Sequence, residues 1–128
     1  MKPEEMKFTK EHEWVAFDDG SGEATIGITD YAAGELGDIV YIELPAVGST
    51  VKYMEPMGTI EAVKTVADIF SPVTGVVKEV NADLEDHPEI VNTSPYVEGW
   101  FLKVDVSDRK DIDSLMSYNE YQAMIGKG

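Results

Sequence analysis

Short β-forming runs, separated by proline and glycine, constrain the fold of this chain more than any other feature of its sequence. Two such runs, residues 57–63 and 66–70, flank Lys64 and predict a β-hairpin with this lysine at its tip. The breakers at residues 45–48 and 72–75 share the form Pro-x-x-Gly and bracket the hairpin. This repeat is weak, because both residue types are common in turns, but a pseudo-twofold β-sandwich would produce it.

The other periodic segments predict a mainly β fold. Strands are predicted at residues 12–17, 23–28, 39–44, 76–80 and 100–106, and the first two are predicted to form a hairpin. In the last of these strands, strict alternation predicts two faces: Trp100, Leu102, Val104 and Val106 on one, and Phe101, Lys103 and Asp105 on the other.

Short helices are predicted where capping residues precede a helical spacing of apolar residues. Thr29 can cap a helix that runs to Leu36, ends at Gly37 and is held by the packing of Tyr31 and Leu36. Another short helix is predicted near residues 88–92. The C-terminal segment is predicted to be helical and to cover one side of the sandwich. Its last helix should start at the capping box of Ser117 and Glu120 and bury an apolar face of Tyr121, Met124 and Ile125.

The charge and composition of the chain exclude several classes of function. A net charge of −15 on 128 residues argues against binding to nucleic acid or anionic lipid, because both need basic residues. The absence of cysteine excludes disulfides, zinc–thiolate sites and cysteine nucleophiles. Residues 1–7 lack the apolar core of a signal peptide. No apolar run approaches the roughly 20 residues that a membrane span requires.

No combination of residues predicts a catalytic or metal site. His12 and His87 lie far apart in the sequence and lack the paired spacing of metal ligands. The serines form no strand–turn–helix nucleophile elbow, and the glycines form no phosphate-binding loop. The sequence therefore predicts a protein that is not an enzyme.

Lys64 has two interpretations at this point. A lysine held at a tight turn is how carrier proteins present an amine for the attachment of a prosthetic group. The alternative is an ordinary solvated lysine on a β-rich binding module. The apolar residues on both sides of Lys64 favour a rigid turn. These residues are Ile60, Val63, Val66, Ile69 and Phe70.

Several ordered motifs resemble those of the glycine cleavage system H-protein family. The attachment region is represented by Glu-Ala-Val-Lys at residues 61–64 and by the run Asp-Ile-Phe-Ser-Pro-Val-Thr-Gly-Val-Val-Lys-Glu-Val-Asn at 68–81. Further matching motifs occupy residues 8–15, 27–32, 36–41, 43–45, 92–96 and 99–100. Alanine stands at positions 33, 62 and 67, where the family usually has glutamine, serine and serine. The resemblance covers roughly residues 7–125 in order.

The resemblance implies a fold and a set of site residues. The fold is a lipoyl/biotinyl-type barrel-sandwich hybrid, a single domain over 1–128 with its core at about 7–106 and a C-terminal helical segment at about 107–125. Lys64 would carry lipoic acid as N6-lipoyllysine. Glu61 and Gly75 would help the attaching enzyme to recognise the turn, although Gly75 could equally be a simple turn residue. Glu13 would belong to a cleft for the lipoyl arm, walled by residues 31–36; the alternative is an exposed strand carboxylate.

The resemblance also implies a role and partners. The chain would be a non-catalytic carrier that takes the aminomethyl group of glycine from the P protein, a pyridoxal-phosphate decarboxylase, to the T protein, an aminomethyltransferase. It would pass electrons to the L protein, dihydrolipoyl dehydrogenase. A monomer is expected, working in the bacterial cytoplasm or, in a eukaryote, the mitochondrial matrix. Two alternatives remain: a lipoate carrier of another pathway, such as sulfur metabolism, and a biotin carrier. Biotin carriers usually have methionine on both sides of the lysine, where this chain has Val63 and Thr65.

Overall fold

The computed structural model describes residues 2–126. Within this range the strands β1 to β9 are Lys7–Phe8, Glu13–Asp18, Glu23–Ile28, Ile39–Glu43, Thr50–Val51, Pro56–Ala62, Val66–Phe70, Gly75–Val80 and Leu102–Val106. The helices α1 to α5 are Asp30–Leu36, Asp83–Asp86, Ile90–Thr93, Lys110–Asp113 and Tyr118–Met124, and a 3-10 helix occupies Pro3–Glu5. Among these described helices, none has the length and apolar character needed to cross a membrane.

The strands form two antiparallel sheets that share one core. The larger sheet has the order β1-β2-β3-β9-β8-β5, and the smaller sheet has the order β4-β6-β7. Apolar side chains of both sheets meet in a single buried cluster, to which the larger sheet contributes Ile26 and Leu102 and the smaller sheet contributes Ile60 and Ile69. Burial of these side chains between the sheets is the main force that holds the sandwich together. The predicted mainly β fold with short helices is confirmed.

Helix α1 has the predicted caps but a different buried face. The Ala32 N–H donates to Thr29 Oγ1 at 3.1 Å, and Gly37 ends the helix with a φ of 77°. The buried residues of α1 are Ala32 and Ala33, with Leu36 partly buried. The predicted packing of Leu36 is confirmed, whereas Tyr31 is half-buried and is not among the residues packed against the core. Two alanines let the helix approach the sheets closely, and Tyr31 stays at the surface of a cleft described below.

The C-terminal segment packs on a second, aromatic cluster. It joins Met6, Phe8, Trp14 and Tyr121, all nearly inaccessible to solvent. The predicted capping box of α5 is confirmed, since the Ser117 N–H donates to Glu120 Oε1 and the Glu120 N–H donates to Ser117 Oγ. Met124 is 43% exposed, so its predicted place on the buried face of α5 is wrong.

The predicted alternation along residues 100–106 is also wrong at its start. Strand β9 begins only at Leu102, and the side chain of Phe101 is fully buried together with that of Leu102. The backbone explains this, because the Phe101 N–H donates to the carbonyl of Ile26 at 2.7 Å just before the regular ladder begins. The chain therefore enters the strand with two consecutive residues in the core.

Gly75 is a strand residue at a point of close backbone approach. It opens β8, where it pairs with Val51 on one side and Val106 on the other. A β-carbon at this position would overlap the carbonyl oxygen of Asp105 on β9. The alternative of a simple turn residue is therefore wrong, and the absence of a side chain is required by the sheet itself.

We expect Gly75→Ala to destabilise the protein, because the added methyl group must push two hydrogen-bonded strands apart. The loss in free energy of unfolding should be about 1–3 kcal/mol, as for other overpacked sites, and urea unfolding measures it. Gly34→Ala is the matched control: a β-carbon there meets no atom within 4 Å, and the position lies within α1. The control should instead gain up to about 1 kcal/mol of helix propensity. Equal stability of the two variants would contradict the close approach at Gly75.

Candidate functional site

Lys64 lies at the tip of the β6–β7 hairpin, where two backbone hydrogen bonds fix the turn. The Ala62 N–H donates to the carbonyl of Thr65 at 2.8 Å, and the Val63 N–H donates to the carbonyl of Asp38 at 2.9 Å. The second bond ties the turn to the segment that follows α1. The Lys64 side chain is exposed, so it is both accessible and held on a fixed backbone.

The apolar residues predicted to make this turn rigid differ in their burial. Val63 and Val66 are 75% and 64% exposed, so neither packs the tip of the hairpin. The packing lies further back, where Ile60 and Ile69 are buried. The tip therefore combines a backbone fixed by hydrogen bonds with two apolar side chains that face solvent beside the lysine.

The stem of Lys64 runs along the C-terminal end of α1. A β-carbon built on Gly37 would lie 3.3 Å from Lys64 Cε. Gly37 directly follows Leu36, the last residue of α1. The lysine side chain thus passes over the end of a helix that forms one wall of a cleft.

That cleft, here called the α1 cleft, lies between α1 and the strands β2 and β7 and has a volume of about 410 Å³. Its apolar lining consists of Ile28, Ala32, Leu36, Ile60, Ala67 and Phe70. Its polar lining consists of Glu11, His12, Glu13, Tyr31, Glu35 and Asp68. The structure therefore brings Glu13 and the predicted wall residues Tyr31 to Leu36 together at one cleft, beside the stem of Lys64.

Glu13 is the buried acidic group of the α1 cleft. Only 1% of the residue is exposed, so its alternative as an exposed strand carboxylate is wrong. Thr9 Oγ1 donates to its Oε1 at 2.6 Å, and the Phe70 N–H donates to its Oε2 at 3.3 Å. Burial outweighs these hydrogen bonds and raises the pKa of Glu13 to about 8. At neutral pH the carboxyl is therefore mostly protonated.

His12 and Tyr31 form the rim of the α1 cleft near Glu13. Their rings lie 5.0 Å apart, centroid to centroid. Burial lowers the pKa of His12, and the hydrogen bond and charge of Glu35 raise the pKa of Tyr31. Sequence reasoning did not select these residues as a group, since they come from different elements.

The other two predicted recognition residues lie in different sheets. Glu61 is exposed on β6, paired with Tyr41 on one side and Val66 on the other, in the same sheet as the Lys64 hairpin. Gly75 belongs to the larger sheet. Glu61 is therefore on the surface that presents Lys64, whereas Gly75 has a clear role inside the fold.

The three alanines that depart from the residues usual in the family have separate surroundings. Ala33 and Ala62 are 3% and 8% exposed, so serine or glutamine at these positions would change the interior rather than a docking surface. Ala67 alone borders the α1 cleft. Its methyl group makes this wall of the cleft more apolar than a serine would.

Between residues 2 and 126 no group of three or more histidine, aspartate or glutamate residues is arranged to hold a metal ion. The acidic residues of the α1 cleft lie around its lining rather than converging on one point. The features that distinguish this site are an exposed lysine, a neighbouring cleft and one buried carboxyl.

Comparison with known proteins identifies the family. The family model described as Glycine cleavage H-protein matches residues 6–128. The glycine cleavage system H protein of Geobacillus kaustophilus is 50% identical over 126 residues, covering 98% of both chains. That of Brevibacillus brevis is 49% identical over 123 residues, covering 96% of both.

The comparison of structures agrees with that of sequences. The crystal structure of a glycine cleavage system H protein from Mycobacterium marinum superposes with a TM-score of 0.89 and 35% identity, covering 98% of this chain and 99% of that chain. The predicted family and the predicted barrel-sandwich fold are both confirmed. The chain belongs to the glycine cleavage H-protein family.

Proposed function

We propose that this chain carries lipoic acid on Lys64 and shuttles the intermediates of glycine cleavage between enzymes. Membership of the H-protein family makes it a carrier in glycine cleavage rather than a catalyst. The observation that supports Lys64 as the attachment point is its place: an exposed amine at a fixed hairpin tip, with its stem beside the end of α1, the helix that forms one wall of the α1 cleft.

The lining of the α1 cleft fits a lipoyl arm. The arm is a hydrocarbon chain that ends in a ring of two sulfurs, and the cleft offers apolar walls from Leu36, Ile60 and Ala67. Its acidic and aromatic groups would lie near the cargo. An amide bond to the arm would also remove the positive charge of Lys64, so the stem could lie along apolar surface without a desolvation cost for the amine.

Lipoate would supply a cyclic disulfide that is reduced as it takes up the aminomethyl group, and the dithiol left after that group departs would give up two electrons. The residues of the chain supply shelter for that cargo. Apolar walls exclude water, which suppresses hydrolysis. Glu13 is protonated in the empty cleft, and the arrival of a cationic amine would favour its charged form. Glu13 would then release its proton to water as the amine enters, and the buried carboxylate would hold the amine by charge and hydrogen bonding.

Recognition by the attaching enzyme would use the surface around Lys64. Glu61 lies there, three residues before the lysine and exposed. For Gly75 we propose an indirect role, because its close approach to β9 shapes the sandwich that presents the hairpin. Beyond the attaching enzyme, we propose that the partners are the P, T and L proteins and that the chain visits them as a monomer. We also propose that it works in the bacterial cytoplasm, since the relatives named above are bacterial.

Glycine–bicarbonate exchange catalysed by a P protein tests the assignment to glycine cleavage. The lipoylated chain should support exchange at a rate that rises with its concentration and saturates. The unmodified chain should leave only the background rate of the P protein. A lipoylated chain that fails to support exchange with the P protein of its own organism would indicate a lipoate carrier of another pathway.

A further inference from the structure

A single hydroxyl group joins the C-terminal helix to two walls of the α1 cleft. Tyr121 Oη lies 2.8 Å from His12 Nδ1 and 2.7 Å from Thr29 Oγ1. Tyr121 is only 1% exposed, and its ring stacks on Phe8 with centroids 4.8 Å apart. The three bonded residues belong to separate segments, namely α5, the turn before β2 and the cap of α1.

Of the two residues that Tyr121 bonds, one lines the cleft and the other caps the helix that forms a cleft wall. His12 lines the α1 cleft and holds its backbone at a φ of 73°, a conformation that is uncommon for residues other than glycine. Thr29 caps α1, the helix that supplies Tyr31, Ala32 and Leu36 to the same cleft. The Thr29 N–H also donates to the carbonyl of His12 at 3.0 Å. The hydroxyl of Tyr121 thus sits where the two wall segments meet.

Two hydrogen bonds converge on the Tyr121 hydroxyl. A tyrosine hydroxyl donates one bond and accepts others. In one arrangement the Tyr121 hydroxyl donates to His12 Nδ1 and accepts from the Thr29 hydroxyl. In the other, His12 Nδ1 carries the proton and donates to the Tyr121 hydroxyl, which then donates to Thr29 Oγ1. Either arrangement fixes the orientation of the His12 ring. Removing the hydroxyl leaves two buried or half-buried polar groups without this partner.

We propose that Tyr121 is a positioning residue that braces the α1 cleft from the C-terminal helix and thereby sets how well the cleft shelters the carried group. The sheltering of the carried group rests on the function proposed above. The support that Tyr121 gives to the cleft wall through its two hydrogen bonds does not depend on that function. Helix α5 therefore does more than cover the aromatic cluster. The Tyr121 hydroxyl fixes the rim of the cleft through His12 and the start of α1 through Thr29.

Tyr121→Phe is the test variant, since it removes the hydroxyl and keeps the ring that stacks on Phe8. Tyr118→Phe is the matched control on the same helix. Its hydroxyl bonds Gln122 at 3.1 Å, and its ring lies 5.9 Å from that of Phe8. Tyr118 lines no part of the α1 cleft. An effect that comes only from losing a hydroxyl on α5 should therefore appear in both variants, whereas an effect on the cleft should appear in Tyr121→Phe alone.

The first measurement uses the unlipoylated chain and needs no partner enzyme. Nitrogen-15 NMR of the histidine rings should show the same Nδ1 signal of His12 in the wild type and in the Tyr118→Phe control. In Tyr121→Phe the Nδ1 signal of His12 should shift, because its hydrogen bond is lost, while the signals of His87 stay unchanged. An unchanged His12 spectrum in Tyr121→Phe would overturn the brace.

The second measurement is the lifetime of the aminomethyl group on the lipoylated chain. The lipoylated chains are loaded with the aminomethyl group by a P protein and glycine, and the release of that group is followed after the P protein is removed. The lifetime should fall by at least about five-fold in Tyr121→Phe, since a change of about five-fold is expected for each of the two hydrogen bonds lost, and remain at the wild-type value in Tyr118→Phe. An unchanged lifetime in a lipoylated, loaded Tyr121→Phe chain would overturn the inference. Absence of lipoylation in every chain would instead contradict the proposed function.

Discussion

Replacing Lys64 by arginine is expected to abolish lipoylation completely. Arginine keeps the positive charge and the length of the side chain, but its guanidinium stays protonated and offers no free amine for amide formation. Intact mass spectrometry after co-expression with a lipoate ligase should show the lipoyl increment in the wild type and none in Lys64→Arg. Because residue 64 is exposed and packs little, the variant should remain as stable as the wild type.

Lys52→Arg is the matched control for this experiment. Lys52 is likewise exposed, near a strand end, but lies outside the β6–β7 hairpin. It should carry the full lipoyl increment. A lipoyl increment retained by Lys64→Arg, or lost from Lys52→Arg, would contradict the assignment of the attachment site. A biotin increment on the wild type would move the chain to the competing class of carrier.

The second large effect is a dependence of stability on pH that arises from Glu13. Its pKa is raised from 4.5 to about 8 in the folded protein. In the pH window between these values, the folded state keeps a proton that the unfolded state has lost. The stabilisation is therefore fully present below pH 4.5 and is lost as the pH rises through about 8. At about 1.4 kcal/mol per pH unit, the loss between pH 5 and pH 8 is roughly 4 kcal/mol.

Glu13→Gln isolates this contribution. Glutamine has nearly the same shape and can accept from Thr9 Oγ1 or from the Phe70 N–H through its single oxygen, yet does not titrate. Urea unfolding at several pH values should show a steeper fall in stability for the wild type than for the variant. Other groups, including His12, titrate in both proteins, so the difference between the two curves belongs to Glu13. Parallel curves would contradict the raised pKa.

The features that could be predicted from sequence are those with a local cause. The Lys64 hairpin follows from two β-forming runs around a short turn, and the start of α1 follows from the capping hydroxyl of Thr29. The capping box of α5 is likewise fixed by residues three apart, Ser117 and Glu120. In each case the stabilising contacts lie within a few residues, so a pattern in the sequence is enough to indicate them.

The features that could not be predicted depend on contacts between distant segments. Glu13 is buried because β2 lies against β7, so that the Phe70 N–H, 57 residues away, reaches its carboxyl. The bond between His12 and Tyr121 joins residues 109 positions apart. Phe101 is buried by a backbone bond to Ile26 that interrupts an otherwise regular alternation. No periodicity or cap encodes such long-range pairings.

The measurement that tests the central claim most directly is glycine-dependent formation of NADH in a mixture of P, T and L proteins with tetrahydrofolate. The lipoylated chain should turn over many times, so that the NADH formed far exceeds the amount of carrier, and Lys64→Arg should give none. The H protein of Geobacillus kaustophilus, 50% identical to this chain, serves as the positive control. If that protein supports NADH formation and the lipoylated chain does not, this chain is not a carrier of glycine cleavage.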